Sequence, residues 1–253
     1  MRLERLRRSW SRRLDALATE LARGRRERRS ARCAGTPTPR RRTVIDIIAE
    51  INALHREVGR QTTDTGEVVS VRVRRDYDAT AEDVWDALTD PDRVKRWFYP
   101  LSGDLRVGGN FQLEGNAGGQ ILRCEPPRLL RVTFGSEISV VEVRLSPEGE
   151  GTTLELEHTV PLAMAGSGAG ALYVGPGWDG AFLALGLFLA GEVADDPVAA
   201  ANSPEAQEFS RQSIRAWTAA VEASGTAGPD DIAAATEAAL AQFAPDAGQD
   251  GRG

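Results

Sequence analysis

The chain has 253 residues, of which 41% are apolar, and its formal net charge is −6. This length accommodates one domain of about 130–200 residues with appendages, or two small domains. Residues 1–43 hold 15 arginines and four acidic residues, a charge of +11, so the remainder of the chain carries −17. An acidic body of this kind offers no electrostatic affinity for nucleic acid or for an anionic membrane.

Lysine and cysteine usage indicate the source and the compartment. Lys95 is the only lysine among 31 basic residues, and alanine and glycine are abundant, which is typical of GC-rich bacterial genomes. Cys33 and Cys124 are too far apart for a CxxC metal site, and two cysteines fit a reducing cytoplasm. No stretch approaches about 20 uninterrupted apolar residues, so we expect no membrane span. The composition therefore predicts a bacterial, cytoplasmic protein without a metal or a cofactor.

Residues 1–43 form an arginine-rich N-terminal extension that ends in a Thr-Pro-Thr-Pro linker at residues 36–39. Leucines at three- or four-residue spacing permit an amphipathic helix, which could lie on a membrane surface or bind an acidic partner. The simpler interpretation is a disordered or partly helical tail, or residues upstream of the true start, because Val44 is compatible with a GTG start codon. We favour this second interpretation.

Residues 44–66 are predicted to be an amphipathic helix followed by a polar linker. Four apolar residues at spacings of 4, 3 and 4 share one face of this helix: Ile47, Ile51, Leu54 and Val58. Gly59 is positioned to end the helix. His55 lies beside the apolar face, and we expect it to be a surface residue.

From residue 67 the pattern changes to that of a half-buried strand, with apolar residues at every second position from Val69 to Val73 and again at Tyr77. Thr80 is a suitable N-cap for a helix over residues 81–88. Asp90-Pro91 then begins a short helix that ends in the aromatic cluster Trp97-Phe98-Tyr99.

A run of short segments with alternating apolar and polar residues follows. This pattern predicts an antiparallel meander with one solvent-exposed and one buried face. The predicted strands are residues 105–107, 111–113, 120–124, 130–134, 141–145 and 154–158. Gly108-Gly109 is expected to form a tight hairpin turn between the first two of these strands.

The C-terminal part is predicted to be helical. After a glycine-rich loop at residues 165–177, interpreted as a lid or linker, a helix over residues 178–190 is apolar nearly all round. Asp179 is interpreted as a first-turn acid that favours the helix dipole. Residues 193–253 are predicted to be a helical extension with helices at 203–223 and 229–243 and a frayed tail.

Five segments occur in the order ATAEDVWDALTDPDRVKRWF, DLRVGGNFQL, ILRCEPPRLLRVTFG, SPEGEGTTLELEHT and GPGWDGAFLALGLFLAG. Over residues 71–191 they resemble the START-like (SRPBCC, helix-grip) superfamily, in the branch of the activator of heat-shock protein ATPase homologue. The resemblance implies an α+β helix-grip fold for residues 67–192, in which a curved antiparallel sheet wraps around a long C-terminal helix, here with extra N- and C-terminal helices. It also implies that a small hydrophobic molecule binds between the sheet and the long helix.

Where sheet and helix diverge, we expect a concave and mostly apolar cavity. Its predicted ligand-binding residues, chosen by strand parity and helix face, are Trp97, Phe98, Phe111, Phe134, Leu156, His158, Trp178, Phe182 and Leu185. For any single residue of this set, ordinary core packing is the simpler explanation, and only the whole set indicates a cavity wall.

His158 shares the parity of Leu156 and is expected to point inward near the end of its strand. Such a histidine serves as a general base or as a hydrogen-bond partner of a ligand. A core histidine that bonds to a backbone carbonyl is the simpler alternative. The neighbouring acids have the opposite parity and supply no triad, so no catalytic residue is predicted. The other polar residues with inward parity are Tyr77, Arg75 and Cys124.

Three hypotheses for the function follow from these patterns. The first is a cytoplasmic binding protein for a small hydrophobic molecule. The second is a cyclase or hydrolase that uses the same cavity, and it requires a polar pair in which His158 contacts Tyr77, Cys124 or Arg75. The third is an interaction protein, either a chaperone partner or a homodimer that associates through the 44–58 helix and the C-terminal helices.

Overall fold

The structure is a computed structural model that describes residues 45–64 and 66–245. The predictions for residues 1–43 and for the C-terminal tail lie outside the described residues. The strands of the described part are β1 His55–Thr63, β2 Gly66–Tyr77, β3 Leu101–Gly103, β4 Asn110–Leu113, β5 Gly118–Glu125, β6 Leu129–Thr133, β7 Val140–Glu148 and β8 Gly151–Pro161. Its helices are α1 Ile47–Asn52, α2 Ala81–Thr89, α3 Pro91–Val94, α4 Leu162–Ala165, a 3₁₀ helix Gly168–Tyr173, α5 Gly175–Leu189, α6 Pro197–Ala201, α7 Pro204–Ser224 and α8 Pro229–Phe243.

The eight strands form one antiparallel sheet in the order β1-β2-β8-β7-β6-β5-β4-β3. Every neighbouring pair is consecutive in the chain except β2 and β8, which pair from Val68 opposite Pro161 to Tyr77 opposite Thr152. A curved antiparallel sheet with a long helix after its last strand is the helix-grip arrangement, so the predicted α+β fold class is confirmed.

The two faces of the sheet differ because side chains alternate along each strand. Inward-facing residues of paired strands form rows on the concave face. One row comprises Val71, His158, Val141, Val132 and Ile121. The next row comprises Val73, Leu156, Val143, Leu130 and Cys124.

The opposite, convex face of the sheet is charged. Arg72 forms ion pairs with Glu57 and Glu157 on the two neighbouring strands, at 2.8 and 3.1 Å. Arg144 forms ion pairs with Glu142 and Glu155. Exposed pairs of this kind each contribute little stability. Together they keep the convex face exposed to solvent, which determines which face of the sheet is buried.

Helix α5 lies between the sheet and the C-terminal helices. One side of α5 packs along β2 and against α2, and the other side packs against α7, which in turn contacts β1, α1 and α8. Burial on both sides explains why α5 has apolar residues nearly all round, as predicted. The cap predicted from sequence at Thr80 is confirmed, since its hydroxyl accepts from Asp83 N. Ser203 caps α7 in the same way, by accepting from Ala206 N.

The prediction of a helix over residues 44–58 is wrong beyond Asn52. Helix α1 ends there, and residues 55–63, predicted as helix and linker, form β1, which pairs with β2 along its whole length. The helical spacing of Leu54 and Val58 was fortuitous: Leu54 is buried at the start of the strand, and Val58 lies opposite Val71. Pairing with β2 satisfies the backbone of this segment, which outweighs its weak helical pattern.

Two further boundaries differ from the predictions. The strand predicted at 105–107 lies instead at 101–103, where Gly103 pairs with Phe111, and 104–109 is a loop that leaves Leu105 and Val107 exposed. The predicted glycine-rich loop follows the short helix α4 and contains the 3₁₀ helix, and α5 begins at Gly175, three residues before the predicted start. Pro176 explains that early start, since proline is favoured in the first helical turn.

Candidate functional site

His158 lies at the centre of a polar group inside the concave face. Its strand position opposite Val71 and Val141 points the ring inward, as predicted, and only 4% of the residue is exposed. Nε2 lies 2.7 Å from Oγ of Ser139, and Nδ1 lies 3.2 Å from Nε1 of Trp178. Ser139, which precedes β7, is 3% exposed. We refer to His158, Ser139, Trp178 and Phe134 as the His158 cluster.

The contact with Trp178 decides where the proton of His158 lies. An indole nitrogen is only a donor, so the Trp178 N–H donates to Nδ1, and Nδ1 carries no proton. In a neutral imidazole the proton is then on Nε2, which donates to Oγ of Ser139. A serine nucleophile needs the reverse direction, with the hydroxyl donating to a free histidine nitrogen. The His158 cluster is therefore arranged to form hydrogen bonds, and His158 does not activate Ser139 as a nucleophile.

Burial keeps His158 neutral. Removal from water lowers its pKa to about 4, because the charged form loses hydration and gains no counter-ion. A proton on Nδ1 would also oppose the N–H of Trp178. The cluster is thus uncharged at neutral pH, which suits contact with an uncharged apolar molecule.

Aromatic rings cover the polar core of the cluster. The Phe134 ring lies 5.2 Å from that of Trp178 and 6.1 Å from the imidazole of His158. Phe134 and Trp178 are both half-buried, whereas His158 and Ser139 are closed off from solvent.

The remaining predicted site residues lie apart from this cluster. Leu156, Phe182 and Leu185 are buried core residues of β8 and α5. Trp97 and Phe98 stack at 5.1 Å, and the Trp97 indole donates to the carbonyl of Ala87 at 3.0 Å. Phe111 is half-buried on β4. The structure therefore brings together three of the nine predicted residues, namely Phe134, His158 and Trp178.

Two of the three polar partners proposed for His158, Tyr77 and Arg75, are engaged elsewhere. The Tyr77 hydroxyl donates to the carbonyl of Phe182 at 2.9 Å, and burial raises the pKa of Tyr77 well above its ordinary value. Arg75 lies 2.7 Å from a carboxylate oxygen of Glu50 and over the ring of Tyr77. Cys124 is half-buried on β5. The polar pair that the enzyme hypothesis requires from these residues is not formed in the described structure.

Ser139 is the site residue that the sequence-based reasoning missed. It lies in the loop between β6 and β7, where a serine is unremarkable. One signal was present: Ser139 has the same parity as Val141 and Val143, so an extension of that alternation by one position places it on the inner face.

Asp179 differs from its predicted role as a first-turn acid that favours the helix dipole, because α5 begins at Gly175 and has no acidic residue in its first turn. Asp179 is fully buried, and its Oδ2 accepts from Arg56 Nε at 2.8 Å, Ser213 Oγ at 2.5 Å and Trp217 Nε1 at 3.1 Å. Burial raises the pKa of Asp179 to about 6. The charge of Arg56 and the hydrogen bonds from Ser213 and Trp217 act in the opposite direction, but burial has the larger effect. It follows Trp178 on α5 and contacts both β1 and α7, so it is part of the scaffold behind the site.

Neither a metal site nor a membrane span is found in the described part. Across residues 45–64 and 66–245, His, Cys, Asp and Glu side chains form no group of three that could hold a metal ion. None of the helices in the same residues combines the length and apolar character needed to cross a bilayer.

Comparisons with known proteins identify relatives of this chain. Residues 78–185 match the family described as activator of Hsp90 ATPase homolog 1-like protein. The crystal structure of CalU16 from Micromonospora echinospora is 44% identical, covers 67% of this chain and 99% of its own, and has a TM-score of 0.55. The solution NMR structure of CalU16, also 44% identical, covers 68% and 97% with a TM-score of 0.58.

A more distant structure shows the fold alone. EF2215 from Enterococcus faecalis, a conserved protein of unknown function, is 14% identical, covers 69% of this chain and 95% of its own, and has a TM-score of 0.50. A comparison with curated proteins gave no match. The likeness to CalU16 extends over nearly the whole of that protein, and the family match over residues 78–185 includes the residues of the His158 cluster. The chain therefore belongs to the family of activator of Hsp90 ATPase homolog 1-like proteins, within the START-like superfamily.

Proposed function

We propose that this protein binds a small hydrophobic molecule on the concave face of the sheet, in the wedge between α5 and strands β4 to β7. The observation that carries the proposal is a gradient of burial along one row. Val73 and Leu156 are 0% and 4% exposed, whereas Val143, Leu130 and Cys124 on the following strands are only half-buried. Cover thus decreases along this row, whose apolar side chains on β5 to β7 remain partly accessible, whereas the neighbouring row that contains His158 is buried on every strand.

Aromatic residues at the same end of the sheet support this proposal. Phe111 lies opposite Gly119, two residues before Ile121, so it shares the concave face. Phe111, Phe98 and Trp97 are half-buried, which is the state expected of side chains at a cavity entrance. The predicted residues Leu156, Phe182 and Leu185 then form the closed base of the wedge.

The test is native mass spectrometry of the untagged protein purified from its own host. We expect a mass excess that disappears on denaturation. Leu130→Trp fills the wedge and should abolish the excess, whereas Arg131→Trp adds the same ring to the convex face of the same strand and should preserve it. A bare chain mass in the wild-type protein contradicts the proposal, and a bare dimer mass would favour the homodimer hypothesis instead.

The function resides, in this proposal, in one START-like domain. We predicted this domain at residues 67–192, and we now add β1 to it because β1 pairs with β2 along its whole length. Residues 193–245 are a helical extension that packs on α5. The low cysteine content and the bacterial relatives are the reasons for placing the protein in a bacterial cytoplasm.

A further inference from the structure

The hydroxyl group of Ser139 has a hydrogen that no other described residue accepts. Because Trp178 donates to Nδ1 of His158, the other nitrogen donates to Oγ of Ser139, which therefore acts as an acceptor in that contact. The serine O–H remains available as a donor. Within the described part of the chain, this hydroxyl makes no second hydrogen bond.

A second hydroxyl in the same loop is in a similar state. The loop between β6 and β7 is closed by a hydrogen bond of 2.9 Å from Phe134 N to the carbonyl of Ser139. Oγ of Ser136 is buried in this loop and has no hydrogen-bond partner among the described residues. Buried hydroxyl groups without an acceptor are rare in folded proteins, so two unused donors in one short loop indicate a place for an acceptor from outside the chain.

We propose that Ser139 donates a hydrogen bond to the bound molecule, and that the site selects flat apolar molecules that carry a neutral acceptor oxygen, such as a ring ketone or a quinone. This inference rests on the proposed function, since it requires that the concave face binds a ligand. Trp178 is a positioning residue in this arrangement, because its N–H fixes the direction of the His158–Ser139 bond.

The acceptor must be neutral because the cluster contains no positive charge. A carboxylate placed against Ser139 would be buried beside the aromatic rings of Phe134 and Trp178 without a counter-ion, which is costly. A hydrocarbon of the same shape would leave the hydroxyl without an acceptor. The chemistry that fits is therefore an aromatic or polycyclic carbonyl compound.

The experiment compares two probes of equal shape, fluorene and 9-fluorenone, which differ by one carbonyl group. We expect the wild-type protein to bind both probes. Ser139→Ala should weaken the binding of fluorenone about three- to tenfold and leave the binding of fluorene unchanged. The matched control is Ser146→Ala, an exposed serine on the convex face of β7. Trp178→Phe keeps an aromatic ring but removes the N–H, so it should also reduce the preference for fluorenone.

Infrared spectroscopy of bound fluorenone provides a readout that does not depend on how well a variant folds. In wild-type protein the carbonyl stretch should lie at a lower frequency than in a hydrocarbon solvent, as expected for a hydrogen-bonded ketone. If the carbonyl stretch is unshifted, or if Ser139→Ala weakens the binding of both probes equally, the role of Ser139 is overturned. The proposed function is not affected by either result. If the wild-type protein binds neither fluorene nor fluorenone, the proposed function itself is overturned.

Discussion

The ring of His158 is held by two neighbours that demand opposite roles from its nitrogens. Trp178 requires an acceptor at Nδ1, and Ser139 receives the proton of Nε2. Neither nitrogen therefore has a free lone pair with which to remove a proton from a substrate. At the residue scale, the site resembles a hydrogen-bond anchor more than a catalytic centre.

The lowered pKa of His158 predicts a specific dependence of stability on pH. Its pKa falls from 6.5 to about 4 on folding, so the unfolded chain binds the proton more readily between these values. We therefore compare the free energy of unfolding of the wild-type protein with that of His158→Gln. The difference in favour of the wild type should decrease by up to about 3 kcal/mol between pH 7 and pH 4. Urea titrations of both proteins across this range measure it, and a pH-independent difference would contradict the prediction.

The comparison with a variant is necessary because Asp179 acts in the opposite direction. The pKa of Asp179 is raised from 3.8 to about 6 in the folded protein, so its contribution to stability is present below pH 3.8 and is lost as the pH rises through 6. His158 contributes stability above pH 6.5 and loses it as the pH falls through 4. In the wild-type protein the two effects offset each other over the same range.

Parity predicted the inward direction of His158 but could not predict its partners. Strand alternation assigns a face to each side chain, and it does not say which loop or helix residue lies above that face. Ser139 and Trp178 come from a loop and from the first turns of α5, so their meeting with His158 depends on tertiary packing. Asp179 was misinterpreted for the same reason, because the packing of α7 on α5 leaves no signal in the spacing of α5 itself.

At the scale of elements, α5 is placed closely against its neighbours by glycine. A Cβ atom added at Gly175 would lie 2.5 Å from the ring of Trp217 on α7, and one at Gly186 would lie 3.1 Å from the guanidinium of Arg75 on β2. An added Cβ at Gly180, in the same helix, would meet no atom within 4 Å. Close packing on the two sides of α5 thus involves Gly175 and Gly186, whereas Gly180 is not required by contacts.

These glycines predict opposite effects of the same substitution in one helix. Gly175→Ala should lower the free energy of unfolding by about 1–3 kcal/mol, because the rigid indole of Trp217 has to shift. Gly180→Ala should raise it by about 0.5–1 kcal/mol, because alanine restricts the unfolded chain and favours helix. Chemical denaturation of the two variants tests this, and a change of the same sign in both would refute it.

The elements themselves were predicted well where their pattern was long. Alternation identified β2 and the strands from β5 to β8, and caps identified α2 and α7. The errors occurred in short segments with few buried residues. Residues 55–63 contain little apolar character, and β1 exists because β2 offers an unpaired edge, which is a tertiary cause that the sequence of β1 does not express.

At the scale of the whole molecule, one buried ion pair joins three distant segments. Arg56 on β1 contacts Asp179 on α5, which also accepts from Ser213 on α7. Arg56 donates in addition to the carbonyls of Ile51 and Leu54 at the end of α1. The C-terminal helices are thus attached to the first strand of the sheet through the helix that covers the site.

Removal of this link should cost much more than removal of a surface pair. Arg56→Ala leaves the carboxylate of Asp179 buried without its counter-ion, and we expect a loss of about 3–5 kcal/mol at pH 7. Arg60→Ala, on the same strand, breaks an exposed pair with Glu67 and should cost less than about 1 kcal/mol. Equal losses in urea titrations of the two variants would show that the buried pair has no special role.

The order of the strands has a consequence for how the chain folds. Hairpin β1–β2 and the meander β3 to β8 each contain only pairings between consecutive strands, and the two are joined solely where β2 meets β8. His158 faces Val71 across that junction. Pairings between consecutive strands close short loops, whereas the junction closes a loop of most of the domain, which is entropically the more demanding step. A chain that has completed all its local pairings therefore has a hairpin and a meander, but α5 still lacks the β2 surface along which it packs.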